Sequence, residues 1–233
     1  MVKLINVYSG YGECQILQGV SLEVQKGRIA ALLGRNGMGK STTLNTIMGL
    51  VPCINGKILF EDKNITGLSP NAISGLGIGF VPQGGRIFPS LTVEENLQMG
   101  CHAGKRKPAL FNITDIYRMF PVLKERAKNR GEQISGGEQQ MLALGRALLT
   151  NPRLILMDEP FEGLAPEIVK LLYSKILDLK NSGLSILLVD QSIRNTLKNV
   201  DYLYIMNKGR IVYEGPPSLA SGEESGIERY MSV

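Results

Sequence analysis

The sequence predicts an α/β fold: a mostly parallel sheet with helices on its faces, an antiparallel β region at the N-terminal end, and a helical insert. Three observations carry this. Short apolar runs, Ile29–Leu33 and 154–157 among them, read as strands buried on both faces. Helix-start signals are interspersed with those runs, two of them a Ser or Thr with Glu three residues on. From about Thr92 to Leu149 there are helix signals and no good strand.

In chain order, 3–7 and 20–24 read as strands, the second because Ser21 and Glu23 alternate with apolar neighbours. Gly27 makes a turn before the run Ile29–Leu33, and 41–50 reads as a helix stopped by Pro52. Strands are expected at 57–61 and Ile78–Val81. Thr92 with Glu95 opens a helix, Asn112 or Thr114 opens another ending near Pro121, and Ser135 with Glu138 opens a third that runs to about Leu149. After the strand 154–157 come a helix at Pro166–Asn181, a strand at 185–189 and a helix at 193–198. A closing strand pair, 203–206 and 210–213, flanks Asn207-Lys208-Gly209. The domain reading is one domain over 1–233, with a helical subdomain at 92–149 inserted into the core.

The chain's 233 residues suffice for such a core. Its net charge of +5 is scattered, and the densest run, Lys105-Arg106-Lys107, reads as a solvated loop. No nucleic-acid partner is expected. Cys14, Cys53 and Cys101 are far apart and match no metal spacing, so they read as thiols of a reducing compartment. The start, Met1-Val2-Lys3-Leu4-Ile5-Asn6, lacks a signal-peptide core, and no apolar run reaches the ~18 residues of a membrane span. A soluble chain is expected, with any membrane role reached through a partner. His102, the single histidine, reads as incidental.

Gly34-Arg35-Asn36-Gly37-Met38-Gly39-Lys40-Ser41 fits G-x-x-x-x-G-K-[ST] and sits between a buried strand and a helix, the context that motif requires. Glycines let consecutive backbone N–H groups turn inward around phosphate oxygens, and the following helix aims its positive end at the same anion. Lys40 suits the β- and γ-phosphates, and Ser41 suits Mg²⁺. Thr42 completes the nucleotide-binding set. The expected ligands are ATP and Mg²⁺, and the fold is a P-loop NTPase of the RecA-like kind. The strand Leu154-Ile155-Leu156-Met157 ends in Asp158-Glu159, which puts a hard oxygen ligand at the carboxyl edge of the sheet, beside the phosphate loop. Asp158 is read as the Mg²⁺-associated carboxylate and Glu159 as the group that polarises the attacking water.

Ile134-Ser135-Gly136-Gly137-Glu138-Gln139-Gln140 is a second glycine turn opening a helix. With the phosphate loop upstream, it resembles the ABC-transporter ATPase family, whose signature is usually LSGGQ; Ile134 and Glu138 depart from it. The resemblance spans nearly the whole chain. It implies that Tyr11 stacks on adenine and that Gln83, in Phe80-Val81-Pro82-Gln83, touches Mg²⁺ or the attacking water and links to a membrane partner. It further implies that Ser135, Gly136, Gly137 and Glu138 serve a nucleotide bound on another ATPase subunit. Ala165 stands where the family usually has Asp, and Gln191 where it has the switch histidine. A glutamine amide can donate to a γ-phosphate oxygen but does not titrate near neutral pH, so Gln191 is read as a neutral γ-phosphate sensor.

Gly10-Tyr11-Gly12, the run Ile87-Phe88-Pro89-Ser90-Leu91-Thr92-Val93-Glu94-Glu95-Asn96-Leu97, Glu138-Gln139-Gln140-Met141 and Gly163-Leu164-Ala165-Pro166 are similar to the shorter ATPase of branched-chain amino acid importers. That branch implies a heterodimer with a second ATPase, two transmembrane permease subunits, a periplasmic or extracellular substrate-binding protein, and a peripheral place on the cytoplasmic face of the inner membrane. A homodimer is conceivable for the isolated chain. Urea or short-amide importers and lipopolysaccharide exporters share parts of the pattern. Outside the family stand a P-loop kinase, a DNA-repair or chromosome ATPase, and a non-hydrolysing nucleotide-binding subunit.

Overall fold

In the computed structural model, which describes residues 1–103, 110–192 and 196–220, two sheets face a shared core. β1 (Val2–Tyr11), β2 (Cys14–Val24), β4 (Cys53–Phe60) and the short β5 (Lys63–Asn64) form an antiparallel sheet ordered β2-β1-β4-β5. β3 (Ile29–Leu33), β6 (Ile78–Val81), β7 (Leu154–Asp158), β8 (Ser185–Asp190), β9 (Tyr202–Asn207) and β10 (Arg210–Gly215) form the second, ordered β10-β9-β3-β8-β7-β6. All neighbours in it are parallel except β10, which turns back on β9.

The buried runs follow from this layering. Every residue of β3, β7 and β8 is buried, because both faces of the parallel sheet are covered. Ala30, Leu32, Leu156, Leu187 and Val189 pack toward the antiparallel sheet and α1 (Lys40–Ile47). Ile155, Met157, Ile186 and Leu188 pack on the opposite face with helices. These include α3 (Val93–Ala103), α4 (Ile113–Met119), α6 (Gly136–Leu148) and α7 (Pro166–Asn181).

Several elements differ from the sequence expectation. β1 and β2 are longer because bulges near Asn6, which has φ 49°, let the pairing continue through polar residues. α1 stops at Ile47, since Gly49 turns left-handed at φ 70° before Pro52 is reached. Two short helices were not anticipated: α2 (Pro70–Leu76), capped by Ser69, and α5 (Pro121–Glu125). Asn112, not Thr114, caps α4, through a reciprocal pairing with Asp115. Between β6 and β7 the described residues hold helices and one isolated bridge, Thr92 to Arg130. Lys105-Arg106-Lys107 and the start of the 193–198 helix lie outside the described residues, and Thr196 is helical.

Candidate functional site

The glycine turn at 34–39 is held by strands on two sides. A β-carbon on Gly34 would lie 2.5 Å from the Met206 carbonyl of β9, and one on Gly39 would lie 3.0 Å from Leu17 of β2. Gly39 also sits at φ 106°, and Gly37 at φ 78°. The turn between β9 and β10 clasps the loop: Gly209 N–H donates to the Met38 carbonyl at 2.9 Å. Arg35, Asn36 and Gly37 remain exposed at the tip, while Thr42 is buried on α1. Tyr11, at the end of β1, is 54% exposed. Past that hairpin, Ile16 and Leu17 of β2 reach Gly39, so Tyr11 lies at the tip of the hairpin whose second strand flanks the loop.

Four side chains converge under the loop. Lys40 and Glu159 are 3% and 6% exposed and form an ion pair, Lys40 Nζ to Glu159 Oε1 at 3.2 Å. Lys40 also donates to the Arg35 carbonyl at 3.0 Å, which satisfies a second of its protons. Ser41 Oγ donates to Asp158 Oδ1 at 3.0 Å. Burial pushes the Asp158 carboxyl above its usual range, and neighbouring Glu159 adds to that; the Ser41 bond and the Lys40 charge oppose it.

Glu159 is the hub. Its Oε2 accepts from Gln191 Nε2 at 2.8 Å and from Gln83 Nε2 at 3.2 Å. Its backbone sits at φ 46°, a left-handed conformation that is uncommon for glutamate, and its N–H continues the sheet by donating to Val189 at 2.9 Å. The structure therefore gathers Lys40, Ser41, Asp158, Glu159, Gln83 and Gln191 from four separate stretches of sequence. Sequence reasoning missed one member: Glu162, whose Oε2 takes the Gln83 amide at 2.7 Å, closer than Glu159 does. It lies 79 residues from Gln83, beyond the reach of any local pattern.

The second glycine turn stands apart from this cluster. Ser135 caps α6: its Oγ accepts from Glu138 N–H at 3.3 Å, and Glu138 Oε2 accepts from Ser135 N–H at 2.7 Å. Glu138, the departure from the usual signature, therefore acts within the chain as the reciprocal cap and lies 3.6 Å from Arg126. Ile134 is buried, whereas Ser135 and Gly136 are exposed, and a β-carbon on Gly136 would meet nothing within 4 Å. Ala165 is the N-cap of α7 and offers its first turn no side-chain acceptor.

The metal reading has a fitting donor set. Ser41 hydroxyl and Asp158 carboxylate are adjacent hard oxygens at the rim of the phosphate loop, and a raised carboxyl without a cation is what a nearby positive charge would relieve. Gln83, the third metal candidate, has its amide nitrogen held by Glu159 and Glu162.

Comparisons with known proteins identify the family. Residues 17–162 match the family model described as ABC transporter. The chain is 42% identical to the high-affinity branched-chain amino acid transport ATP-binding protein BraG of Pseudomonas aeruginosa, over 91% of each chain. It is 35% identical to the lipopolysaccharide export system ATP-binding protein LptB of Haemophilus influenzae, over 97% of this chain and 95% of that one. Among solved structures, a nucleotide-free ATP-binding cassette from an ABC transporter superposes with a TM-score of 0.83 at 30% identity, covering 100% of this chain and 95% of the other.

Proposed function

This chain belongs to the ABC transporter family as an ATP-hydrolysing subunit, and from that premise we propose that it powers import of branched-chain or other hydrophobic amino acids. The observation that carries the catalytic part is the convergence of Lys40, Gln83 and Gln191 on the two oxygens of Glu159. No described helix is long and apolar enough to cross a membrane, so the proposed partners supply the pore. They are a second ATPase, two permease subunits and, through them, a substrate-binding protein, at the cytoplasmic face of the membrane.

The residues divide the work of hydrolysis as follows. Loop N–H groups at 35–41 and the N-terminus of α1 hold the phosphates, with Lys40 supplying the mobile cation. Ser41, Asp158 and Gln83 would hold Mg²⁺, which would neutralise charge on the phosphate oxygens. In the structure described here, Lys40 neutralises Glu159 instead. Phosphate draws the ammonium away, and Glu159 Oε1 is then free to accept a proton from the attacking water. Gln191 supplies a neutral N–H donor for the γ-phosphate. Tyr11 stacks on the adenine, and Ser135 to Glu138 close over the nucleotide of the partner ATPase.

The test is phosphate release by the assembled complex. Glu159→Gln keeps ATP binding and lowers release by about 10²–10⁴-fold, the usual worth of a general base. Release within twofold of the parent would remove Glu159 from the chemistry. Leucine uptake into vesicles carrying the complex tests the substrate. Export of lipopolysaccharide is the competing reading that the 35% identity to the exporter ATPase favours, and urea or short-amide import is the other. Gln191 and the Gly163-Leu164-Ala165-Pro166 turn speak for the amino acid branch.

A further inference from the structure

Glu159 and Gln191 sit on different loops, one after β7 and one after β8. A cleft of about 450 Å³ opens between those loops, lined by Glu159, Phe161, Glu162, Asp190, Gln191 and Ser192 among others. Something must hold both sides of it at the spacing that keeps Gln191 Nε2 2.8 Å from Glu159 Oε2. Glu159 also sits in a left-handed conformation at φ 46°. Such strain persists only where the surroundings over-determine it.

One side chain on α7 touches both loops. The Tyr173 ring stacks on Phe161, two residues after Glu159, with centroids 4.0 Å apart and planes 24° apart. Its hydroxyl donates to Asp190 Oδ2 at 3.4 Å and lies 3.1 Å from Thr196 Oγ1, which itself donates to that carboxylate oxygen at 3.0 Å. The other oxygen of Asp190 accepts the backbone N–H of Gln191 at 2.6 Å and of Ser192 at 3.1 Å. The contacts close a ring: Glu159, Phe161, Tyr173, Asp190, Gln191 and back to Glu159. All of its members but Gln191 are buried, and burial pushes the Tyr173 phenol well above its ordinary range, so it stays a donor throughout the working pH range.

We propose that Tyr173 is a positioning residue that ties the Glu159 loop to the Gln191 loop, its ring fixing one and its hydroxyl the other. Its contacts run to Phe161, Asp190 and Thr196, so its effect on hydrolysis runs through Gln191 and Glu159. The proposal rests on the reading that these two residues act in hydrolysis.

The experiment measures phosphate release and its KM for ATP in the complete transport complex for the parent, Tyr173→Phe, Gln191→Ala, the double variant and Glu159→Gln. Tyr173→Phe keeps the stacked ring and removes only the hydroxyl. It is expected to lower kcat about 5- to 10-fold and to leave KM within about twofold, the mark of an interaction made in the transition state. In the Gln191→Ala background it is expected to add less than about twofold, since the tie then has no amide to position. A kcat for Tyr173→Phe within twofold of the parent, or effects that multiply in the double variant, overturn the proposal. Wild-type rates in Glu159→Gln and Gln191→Ala would instead overturn the underlying reading of the site, and the proposal with it. Should Tyr173→Phe not fold, Thr196→Val removes the other hydroxyl at nearly constant volume; the same kcat loss at constant KM is expected, and an unchanged kcat counts against the tie.

Discussion

The two glycine turns of this chain each deliver a polar loop to the start of a helix, at 34–41 before α1 and at 134–138 before α6, yet they are finished differently. The first is gripped from within. The Met206 carbonyl leaves no room for a β-carbon at Gly34, Leu17 and Met206 crowd one at Gly39, the β9–β10 turn holds the Met38 carbonyl, and Lys40 beneath is buried against Glu159. The second satisfies its own cap through Ser135 and Glu138 and then stops: Gly136 faces open space. Packing therefore explains Gly34 and Gly39, a left-handed backbone at φ 78° explains Gly37, and neither explains Gly136. A glycine that nothing in its own chain requires is a reason to look for a surface outside the chain.

The sharpest way to break this contrast is to add the same methyl group to each turn. Gly39→Ala places a side chain at φ 106° against Leu17, and we expect loss of nucleotide binding with destabilisation of roughly 1–3 kcal/mol. Gly136→Ala should fold normally, with stability within about 1 kcal/mol of the parent, since alanine is the better helix former. ATP binding by the single chain should stay intact while hydrolysis in the assembled complex falls. Equilibrium nucleotide binding, melting curves and phosphate release read out all three. Equal damage to binding from both substitutions would erase the distinction.

Asp158 sharpens the first half of the comparison, because a grip built for a cation leaves a strained carboxylate when the cation is away. Its carboxyl is raised by burial. A raised carboxyl binds a proton in the native state before the unfolded chain does, so it lowers stability as pH climbs from ~4, the ordinary carboxylate value, through the raised one. Asp158→Asn removes that cost and still accepts from Ser41. Nucleotide-free Asp158→Asn should melt above the parent at neutral pH. The gain should shrink as pH falls toward 4, and Mg²⁺-dependent hydrolysis should drop at least about 100-fold, as for loss of a catalytic electrostatic group. A lower melting point at neutral pH would mean that the carboxylate stabilises the empty site.

How much of this was legible beforehand follows the range of the contacts. The phosphate loop is a contiguous signal, and so are the Ser135–Glu138 and Thr92–Glu95 caps, all of which formed as read. α2 carried a local signal too, Ser69 followed by Pro70, a cap with proline in the first turn. Tyr173 and Glu162 carried none. Tyr173 looks like one more apolar position on α7, and its meeting with Asp190 depends on how α7 packs on the sheet. Glu162 reads as a loop acid until β6 and β7 pair and bring Gln83 beside it. The long β2 was hidden for another reason: Gln15 and Gln18 break the alternation, yet pairing with β1 holds them in the strand.

Gln191 tests how far the first half depends on its neutral sensor. Gln191→Ala should lower kcat about tenfold with ATP affinity within twofold, matching one lost charge-assisted donor of ~1.5 kcal/mol. Gln191→His should hydrolyse with a pH dependence centred near the histidine range, ~6.5, that the parent lacks. A flat profile in that variant would place residue 191 away from the γ-phosphate.

The smallest expected effect falls on the exposed half, at Ala165. This residue caps α7 with its backbone carbonyl alone, which accepts from Ile168 and Val169 N–H at 3.0 and 3.1 Å, and it offers no side-chain acceptor to the first turn behind Pro166. Ala165→Asp supplies it and places a negative charge at the positive end of the helix. Stability should rise by about 0.5–1 kcal/mol, measured as a shift in the denaturant midpoint at constant slope. The same carboxylate is what the family usually carries here, and a contact across the ATPase dimer is a second use it could have. If that contact is separate from capping, Ala165→Asp changes hydrolysis in the complex while Ala165→Ser, an equally good cap without charge, does not. If both variants gain stability and neither changes the rate, the family's aspartate at this position is a helix cap, and its absence here costs the chain stability alone.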